Sequence, residues 1–320
     1  MTDAPDPARQ DRQRTARTLA LATLVYTVFV ILWGAVVRAT GSGAGCGASW
    51  PTCNGEIIPM APALNTIIEF GHRVTSGIAL PLVIWAAVAV WRAFPAGSGA
   101  RRWAGASVFF MLLEAAIGAG LVLLEYVAFD ARIARALWIS GHLLNTFLLL
   151  AAITLMYRAT LGGSLPRWRG SRAWAVGIAL AGTMVLGASG AITALGDTLV
   201  LRGGLSPEEN AVVGVLVSLR VLHPTLAFVV LGLVGVAAWS ARHTRARDWG
   251  MGVAGLFVFQ MALGALNVWL LAPLWMQVVH LLVTDLIWIG LVWFACEALG
   301  RTTPERTADV GGLAVASGRG

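Results

Sequence analysis

Charge is scarce in this chain of 320 residues. Only 12% of the residues are charged and 58% are hydrophobic, whereas a soluble domain carries about 25% charged residues. An ordinary soluble domain is therefore excluded. Lysine is absent, so all 23 cationic side chains are arginines. Together with abundant Ala, Gly and Val, this composition is typical of a GC-rich bacterial genome, which bears on origin and not on function.

Cysteine is also rare, and its placement limits the chemistry. Cys46 and Cys53 share one polar loop, while Cys296 lies near the end of the last apolar run and is expected to be inert packing. Two thiolates without a nearby loop histidine are too few ligands for structural zinc. Outside the cytoplasm such a pair often forms a disulfide. Cys46 and Cys53 are then either a staple that orders the loop or a reducible pair beside a redox site.

Long apolar runs take the place of charge. Several reach about 20 residues, which is enough to cross a hydrocarbon core. The first run is too long for a signal peptide and has no clear small-residue cleavage site after it, so no cleavable signal peptide is expected. We predict an all-α integral membrane protein with eight transmembrane helices. The runs cover residues 18–38, 66–91, 103–124, 136–157, 173–195, 212–239, 249–271 and 275–299.

The arginines predict the topology. They cluster in the N-terminal tail, in the second, fourth and sixth loops and in the C-terminal tail, whereas the other loops hold fewer. Because basic loops stay in the cytoplasm, both termini are predicted to be cytoplasmic in a bacterial plasma membrane. The first, third, fifth and seventh loops should face outward. The net charge of +7 therefore reflects topology and does not indicate nucleic-acid binding.

The sequence indicates two copies of one four-helix unit. An even number of spans in each unit keeps both units in the same orientation, so we predict two parallel-repeat four-helix bundles. The predicted divisions are a tail over 1–17, a first half over 18–162, a second half over 163–300 and a disordered tail over 301–320. The matching motifs are Gly34–Thr40 with Gly187–Thr193, Glu114–Gly118 with Gln260–Gly264, and Leu137–Leu144 with Leu274–Leu282.

Four histidines lie inside four different apolar runs, each about two turns from the same side of the membrane: His72, His142, His223 and His280. An ionisable side chain in hydrocarbon is costly and needs a partner, and imidazole is a good ligand for haem iron. Each half contributes one pair from its second and fourth helices, which can face each other across a bundle. A single buried histidine is as readily explained by a backbone hydrogen bond, but four at matched depth favour two bound haems. His243 lies in a basic loop and is expected to be solvated.

The two halves differ three residues before the histidine of their second helix. Glu69 precedes His72, and Arg220 precedes His223, each on the same helix face as its histidine. An arginine there suits a haem propionate, whereas a glutamate can accept or give a proton. This difference predicts chemistry in the first half and a permanent cofactor in the second. The alternative is that Glu69 simply pairs with Arg73.

Four other polar residues are expected to have structural or binding roles. Glu114 aligns with neutral Gln260, so an interhelical hydrogen bond is expected there. Asp285 lies off the face of His280 and is expected to be structural. Arg38, like Arg73, lies near the outer membrane edge, and each arginine either holds a propionate or extends to the headgroups.

These residues resemble the haem A synthase family of bacteria and mitochondria. The resemblance covers residues 18–299, and one departure is that residues 44–49 are richer in Gly and Ala than expected for the family. The segments that carry it are Thr40–Gly43, Cys46, Trp50–Gly55, Glu69–Arg73, Gly141–Leu144, Arg220–Pro224 and Val279–Leu282.

The resemblance implies eight helices in two halves and a reaction. Such enzymes convert haem O to haem A for terminal oxidases by oxidising a ring methyl to a formyl group through an alcohol. It implies that His223 and His280 bind a haem b cofactor and that His72 and His142 flank the haem O substrate. Glu69 is then the catalytic acid/base candidate. It also implies that Cys46 and Cys53 are the redox-active or structural pair.

The expected partners are haem O as substrate, the haem O synthase that supplies it, an unidentified electron-transfer partner and the lipid bilayer. A homo-oligomer is one alternative for the oligomeric state. Two other functions stay open: a di-haem cytochrome b-type electron-transfer protein and a haem exporter or chaperone. A transporter for a polar solute fits poorly, because such proteins tend to have paired interrupted helices at the midplane and no clear pair stands out in the sequence.

Overall fold

The computed structural model describes residues 6–60 and 62–300. In that part of the chain the regular structure is helical, apart from one isolated bridge between Cys53 and Glu56. The α-helices are α1 (Pro7–Thr40), α2 (Leu64–Ala93), α3 (Gly99–Leu123), α4 (Ile133–Thr160), α5 (Gly170–Leu201), α6 (Ala211–Ser218), α7 (Leu222–Ser240), α8 (Arg247–Trp269) and α9 (Leu274–Leu299). Short 3₁₀ turns occupy Ser42–Ala44 and Leu219–Val221.

These helices form eight spans that are long and apolar enough to cross a membrane, with α6 and α7 acting as one span over Ala211–Ser240. The prediction of an all-helical protein with eight transmembrane helices is confirmed. The turn between α6 and α7 precedes Pro224, which has no N–H to donate to the carbonyl of Arg220. The sixth predicted run therefore contains a 3₁₀ interruption that its hydrophobicity does not reveal.

Helix α1 begins well before the predicted span. It starts at Pro7, where Asp6 accepts a hydrogen bond from the N–H of Ala8, and proline is favoured in the first turn because its missing N–H needs no partner there. Most of the predicted tail over 1–17 is thus a helical extension rather than a separate segment. The predicted tail over 301–320 lies outside the described residues.

Each half is a ring of four spans. Helices α1, α2, α3 and α4 pack in order with α4 returning to α1, and α5, α7, α8 and α9 do the same with α9 returning to α5. The second and fourth spans of each half, α2 with α4 and α7 with α9, are therefore diagonally opposed. The two rings meet through α1, α4, α5 and α9. The relation of the two halves as repeats of one four-helix unit stays a prediction.

Helix α9 belongs to both hydrophobic cores. Trp288 and Cys296 pack in the core of the first half, and the Trp288 ring stacks on Phe147 of α4 at 4.9 Å between centroids. Another face of α9, with Ile287 and Leu291, packs in the core of the second half. The last helix therefore joins the predicted halves, and Cys296 is buried packing as expected.

The two ends of the helix bundle differ in the loops that they carry. The disulfide face holds the end of α1, the start of α2 and the loop over residues 41–60, called the disulfide loop. The arginine-rich face holds the loops after α2, α4 and α7. Which face meets the cytoplasm stays a prediction.

Candidate functional site

The structure brings the four predicted histidines together in the predicted pairs. His72 on α2 and His142 on α4 are close enough to interact electrostatically, and so are His223 on α7 and His280 on α9. All four are half-buried, and each lies within about three turns of the disulfide-face end of its span. Each pair therefore faces across its own four-helix ring at similar depth.

A glycine on a neighbouring helix lies beside each imidazole. A Cβ placed on Gly34, Gly190 or Gly264 would lie 3.1, 2.9 or 3.2 Å from Cε1 of His72, His223 or His280, respectively. The fourth contact, between Gly118 and His142, is looser at 3.9 Å. Real Cβ atoms seldom approach other atoms as closely as 3 Å, so a larger residue would displace the ring at three of these four positions.

These contacts correct one motif alignment. Gly187, the predicted counterpart of Gly34, lies against Phe147, with 2.5 Å from its Cβ position to the ring. Gly190 is the residue that contacts a histidine, so the α5 motif is one helical turn out of register. Gly34, Gly118 and Gly264 belong to the motifs that match between the two halves. The sequence alone did not indicate that these glycines contact histidines.

The arrangement fits a flat, bis-imidazole-ligated group such as haem. Two imidazoles oppose each other across a ring of helices, which is a known way to hold such a cofactor. The buried Nδ1 atoms of His72, His142 and His280 make no hydrogen bond in the described residues, although Nδ1 of His142 lies 3.2 Å from Oε1 of Glu114. Nδ1 of His223 lies 3.0 Å from Oγ of Ser189. Buried polar atoms without partners are rare, so these imidazoles are suited to an external ligand.

Glu69 lies beneath the disulfide loop with only 3% of its surface exposed. Its Oε2 accepts the backbone N–H of Cys46 at 2.8 Å. Its Oε1 accepts two hydrogen bonds from Arg73, from Nε at 3.1 Å and Nη2 at 2.5 Å. The ion pair expected under the structural alternative is therefore present, and the same carboxylate also contacts the cysteine loop, which the sequence did not reveal.

Arg73 contacts the disulfide loop. Its Nη1 donates to the carbonyls of Ser49 at 2.5 Å and Thr52 at 2.6 Å. Because Glu69 occupies its other donors, this guanidinium ties α2 to the disulfide loop. The sequence analysis did not predict this loop contact, and a propionate or headgroup role for Arg73 stays a prediction.

Cys46 and Cys53 are joined by a disulfide, and both are almost fully buried. The carbonyl of Gly45 accepts a hydrogen bond from Oγ1 of Thr66 at 2.8 Å. A Cβ at Gly45 would lie 2.4 Å from the carbonyl oxygen of Asn65, so the loop packs directly on the first turn of α2. The disulfide therefore lies next to Glu69, which accepts the N–H of Cys46.

Arg220 pairs with Asp197 of α5, at 2.6 Å from Nη2 to Oδ1. Asp197 lies beyond the predicted fifth run over 173–195 but inside α5, which extends to Leu201. Arg38 also reaches α5, where its Nη1 donates to the carbonyl of Ala194 at 2.9 Å, and its Nη2 donates to Oε1 of Gln277 at 2.9 Å. Arg38 thus braces the two halves, and it points to neither headgroups nor a site of its own half.

Glu114 and Gln260 make the predicted interhelical hydrogen bonds. Glu114 accepts from Nδ2 of Asn145 at 2.5 Å and from the hydroxyl of Thr146. Gln260 donates to the carbonyl of His280 at 2.8 Å. Asp285, predicted to be structural, is fully buried, and its carboxylate oxygens have no partner among the described residues.

The comparisons with known proteins agree with this architecture. The model of the COX15-CtaA family, described as a cytochrome oxidase assembly protein, matches residues 17–292. A protein of Thermus thermophilus named protoheme IX farnesyltransferase is 44% identical over 94% of this chain and 51% of its own length. The chain therefore spans about half the length of this relative.

Proteins named heme A synthase also match, over shorter segments. One from Alkalihalophilus pseudofirmus is 40% identical over 32% of this chain and 35% of its own length. One from Staphylococcus haemolyticus is 38% identical over 35% of this chain and 36% of its own length. Together with the eight apolar spans, these matches indicate a multi-pass membrane protein similar to proteins described as cytochrome oxidase assembly protein and heme A synthase.

Proposed function

We infer the function from one premise: the chain belongs to the COX15-CtaA family of cytochrome oxidase assembly proteins. We propose that it is a haem A synthase, an oxidoreductase that converts a ring methyl of haem O to a formyl group through an alcohol. The observation that carries this proposal is the pair of opposed histidines in each four-helix ring, combined with a buried carboxylate three residues before the second-helix histidine in the first ring, where the second ring has Arg220.

The two rings take different haems in this proposal. His223 and His280 hold a haem b cofactor, which supplies a path for electrons from the substrate to an external acceptor. Arg220 lies on the turn before His223, where it can share its charge between Asp197 and a propionate. His72 and His142 hold the haem O substrate. The first half over 18–162 is thus the substrate half, and 163–300 is the cofactor half.

Oxidation of a methyl to a formyl group has a fixed balance. The methyl carbon gains one oxygen from one water molecule and releases four protons and four electrons. If both His72 and His142 held the substrate iron, no coordination position would remain for dioxygen, and water would be the oxygen source. The protein must therefore accept protons beside the methyl group and pass electrons away from it.

Glu69 is the proposed proton acceptor. Its Oε2 takes one hydrogen bond, from Cys46, so this oxygen retains a lone pair for a water proton. Arg73 balances the carboxylate charge in a site from which bulk water is largely removed. A carboxylate held by fixed donors at a buried position can act as a general base when a substrate water lies within hydrogen-bond reach.

The substrate and the partners follow from the same chemistry. The Thermus relatives carry the name protoheme IX farnesyltransferase and are about twice the length matched by this chain. We assign farnesyl transfer to the part of those relatives that this chain does not match. A haem O synthase is then the supplier of the substrate, and the electron acceptor is a separate, unidentified partner. The protein works in the bacterial plasma membrane with both termini in the cytoplasm.

Haem extraction tests the proposal. The full chain is expressed in a host that makes haem O but no haem A, and the extracted haems are separated by chromatography. Haem A or its alcohol intermediate is expected. Recovery of haem B alone, with a bis-histidine spectrum, would instead establish an electron-transfer protein or a haem carrier.

Substitution of Glu69 tests the proposed base. Glu69→Gln retains an acceptor for the Cys46 N–H but removes the proton-accepting carboxylate, so we expect loss of haem A formation with haem b still bound. Glu69→Ala should give the same loss. Glu56→Gln is the matched control, because Glu56 caps Met60 in the same loop away from the histidines. Loss of the second-half haem from the Glu69 variants would overturn the assignment.

A further inference from the structure

We propose that Glu114 is a positioning residue for His142 and that it makes the two haem sites chemically unequal. Its carboxylate lies 3.2 Å from Nδ1 of the imidazole, where it can accept the Nδ1–H once Nε2 turns toward the ligand position. The inference rests on the proposed function for the identity of the bound groups. Its geometric basis is a contact that occurs in the first ring of helices and not in the second.

The contact joins α3 to α4. Oε1 of Glu114 lies 3.2 Å from Nδ1 of His142, and the glutamate side chain is 18% exposed. This histidine also has the loosest glycine contact of the four, at 3.9 Å from Gly118. The other three rings are confined by their glycines, so His142 is the ring that most needs a hydrogen-bonding partner to fix its orientation.

The carboxylate is itself held in place. Nδ2 of Asn145 donates to Oε2 at 2.5 Å and also to the carbonyl of Phe110 at 3.0 Å. The hydroxyl of Thr146 donates to Oε1. A charged group inside a membrane protein requires such partners, and these donors fix the carboxylate beside the imidazole.

The second ring lacks this arrangement. Gln260 takes the place of Glu114, and its amide donates to the carbonyl of His280 and to Oγ1 of Thr284 at 2.7 Å. Asn145, three residues after His142, has the apolar Val283 as its counterpart. Of the four histidines, His142 is the one with a carboxylate oxygen within 4 Å of a ring nitrogen in the described residues. The carboxylate and the donor that supports it thus occur together in one half only.

The expected consequence is a difference in redox behaviour. A carboxylate that accepts the second ring N–H of a metal-bound histidine fixes its tautomer and raises its basicity. A more basic histidine would favour the ferric state of a haem that it holds, so a haem in the first half should have the lower midpoint potential. Electrons then pass from the substrate half to the cofactor half, the direction that substrate oxidation requires.

Glu114→Gln gives the second-half residue to the first half and is the primary test. The full chain is purified from a host that makes haem O, and its haems are followed by optical redox titration and by extraction. We expect one of the two transitions to move to higher potential and haem O to be retained about 10- to 100-fold less tightly, as for other losses of outer-shell ligand partners. The other transition and the haem B content should not change.

Two further variants make the test specific. Glu114→Asp keeps the carboxylate but draws it away from the ring, so it should shift the same transition by less. Gln260→Ala is the matched control in the other ring. It should leave unchanged the midpoint potential of the transition that Glu114→Gln shifts. The inference is wrong if Glu114→Gln moves neither transition, or if it moves both equally, since an equal shift indicates a general change of fold. If Glu114→Gln does not fold, the shift in Glu114→Asp decides in the same way.

Failure of this inference can be told apart from failure of the proposed function. Formation of haem A by the unchanged protein, with no shift of potential in Glu114→Gln, would refute the positioning role alone. A shift confined to one haem in a protein that never makes haem A would refute the enzyme function and retain the positioning role.

Discussion

Glycines on neighbouring helices set the space available to the histidine rings. The contact is tightest at Gly190, where an added Cβ would lie 2.9 Å from Cε1 of His223, and loosest at Gly118, at 3.9 Å from His142. Because protein interiors are close-packed, even one added methyl group is felt. The four glycine positions are therefore unequal in what they tolerate.

Gly190→Ala is expected to reduce haem occupancy of the second half. The added methyl displaces the His223 ring, and overpacking of this kind costs roughly 1–3 kcal/mol, which corresponds to about a 5- to 150-fold loss of affinity. The measurement is bound haem per protein as purified. Gly118→Ala is the matched control and should retain its haem. Equal haem content in the two variants would contradict the glycine argument.

The sequence was sufficient to identify the histidines but not their surroundings. Helical spacing and depth alone placed His72 opposite His142 and His223 opposite His280. The partners of Glu69 depend on where a loop folds back, and those of Arg38 lie on the other half of the molecule. Such contacts have no periodic signature in the chain, so sequence patterns could not reveal them.

The disulfide loop is fastened to α2 by several independent contacts. Arg73 binds two of its carbonyls, Glu69 binds the N–H of Cys46, and Thr66 binds the carbonyl of Gly45. The Cys46–Cys53 bond is one fastening among these. Loop order and any redox role of the cysteines can therefore be separated by mutation.

Arg73→Ala is expected to open this loop more than loss of the disulfide does. Without Arg73, the buried Glu69 carboxylate loses its charged partner, and breaking a buried pair in this way costs about 3–5 kcal/mol. Cys46→Ser with Cys53→Ser removes a chain constraint of about 2–4 kcal/mol. Protease cleavage within residues 41–60 measures the opening.

Two results of that experiment would be informative in different ways. Faster cleavage of the double cysteine variant than of Arg73→Ala would contradict the assigned role of Arg73. A double cysteine variant that resists cleavage but forms no haem A would favour a redox role for the pair over a staple.

The sixth span contains a break in its helix that hydrophobicity alone does not predict. Residues 212–239 read as one uninterrupted run, yet the helix changes to a 3₁₀ turn over Leu219–Val221. Pro224 is the residue that indicates such a break, because it removes a backbone donor four residues after Arg220. The turn places Arg220 beside Asp197, and no feature of the sequence specified this acidic partner.

The two rings of helices are held together near the disulfide face by Arg38. This residue of α1 donates to α5 and α9 through the carbonyl of Ala194, Oγ1 of Thr198 and Oε1 of Gln277. Eight spans and their division into four and four were predictable from run lengths and motif order. The interface between the rings was not, since both of its sides are apolar except at such isolated positions.

Arg38→Ala is expected to destabilise both halves although it touches no histidine. Hydrogen bonds to charged groups contribute about 1.5–3 kcal/mol each, and we expect a loss of roughly 2–4 kcal/mol in the free energy of unfolding. Denaturant unfolding followed by haem absorbance measures it. Arg132→Ala is the control, because the Arg132 side chain is 56% exposed and ion pairs of exposed side chains contribute at most about 1 kcal/mol. Similar unfolding of the two variants would refute the bracing role.

The matched depth of the four histidines has an electrical consequence. Moving one elementary charge across a membrane potential of 100 mV involves about 2.3 kcal/mol, but only in proportion to the distance travelled along the membrane normal. An electron that passes between two sites at similar depth travels almost parallel to the membrane plane. Transfer between the two haems should therefore neither draw on the voltage of an energised membrane nor be slowed by it.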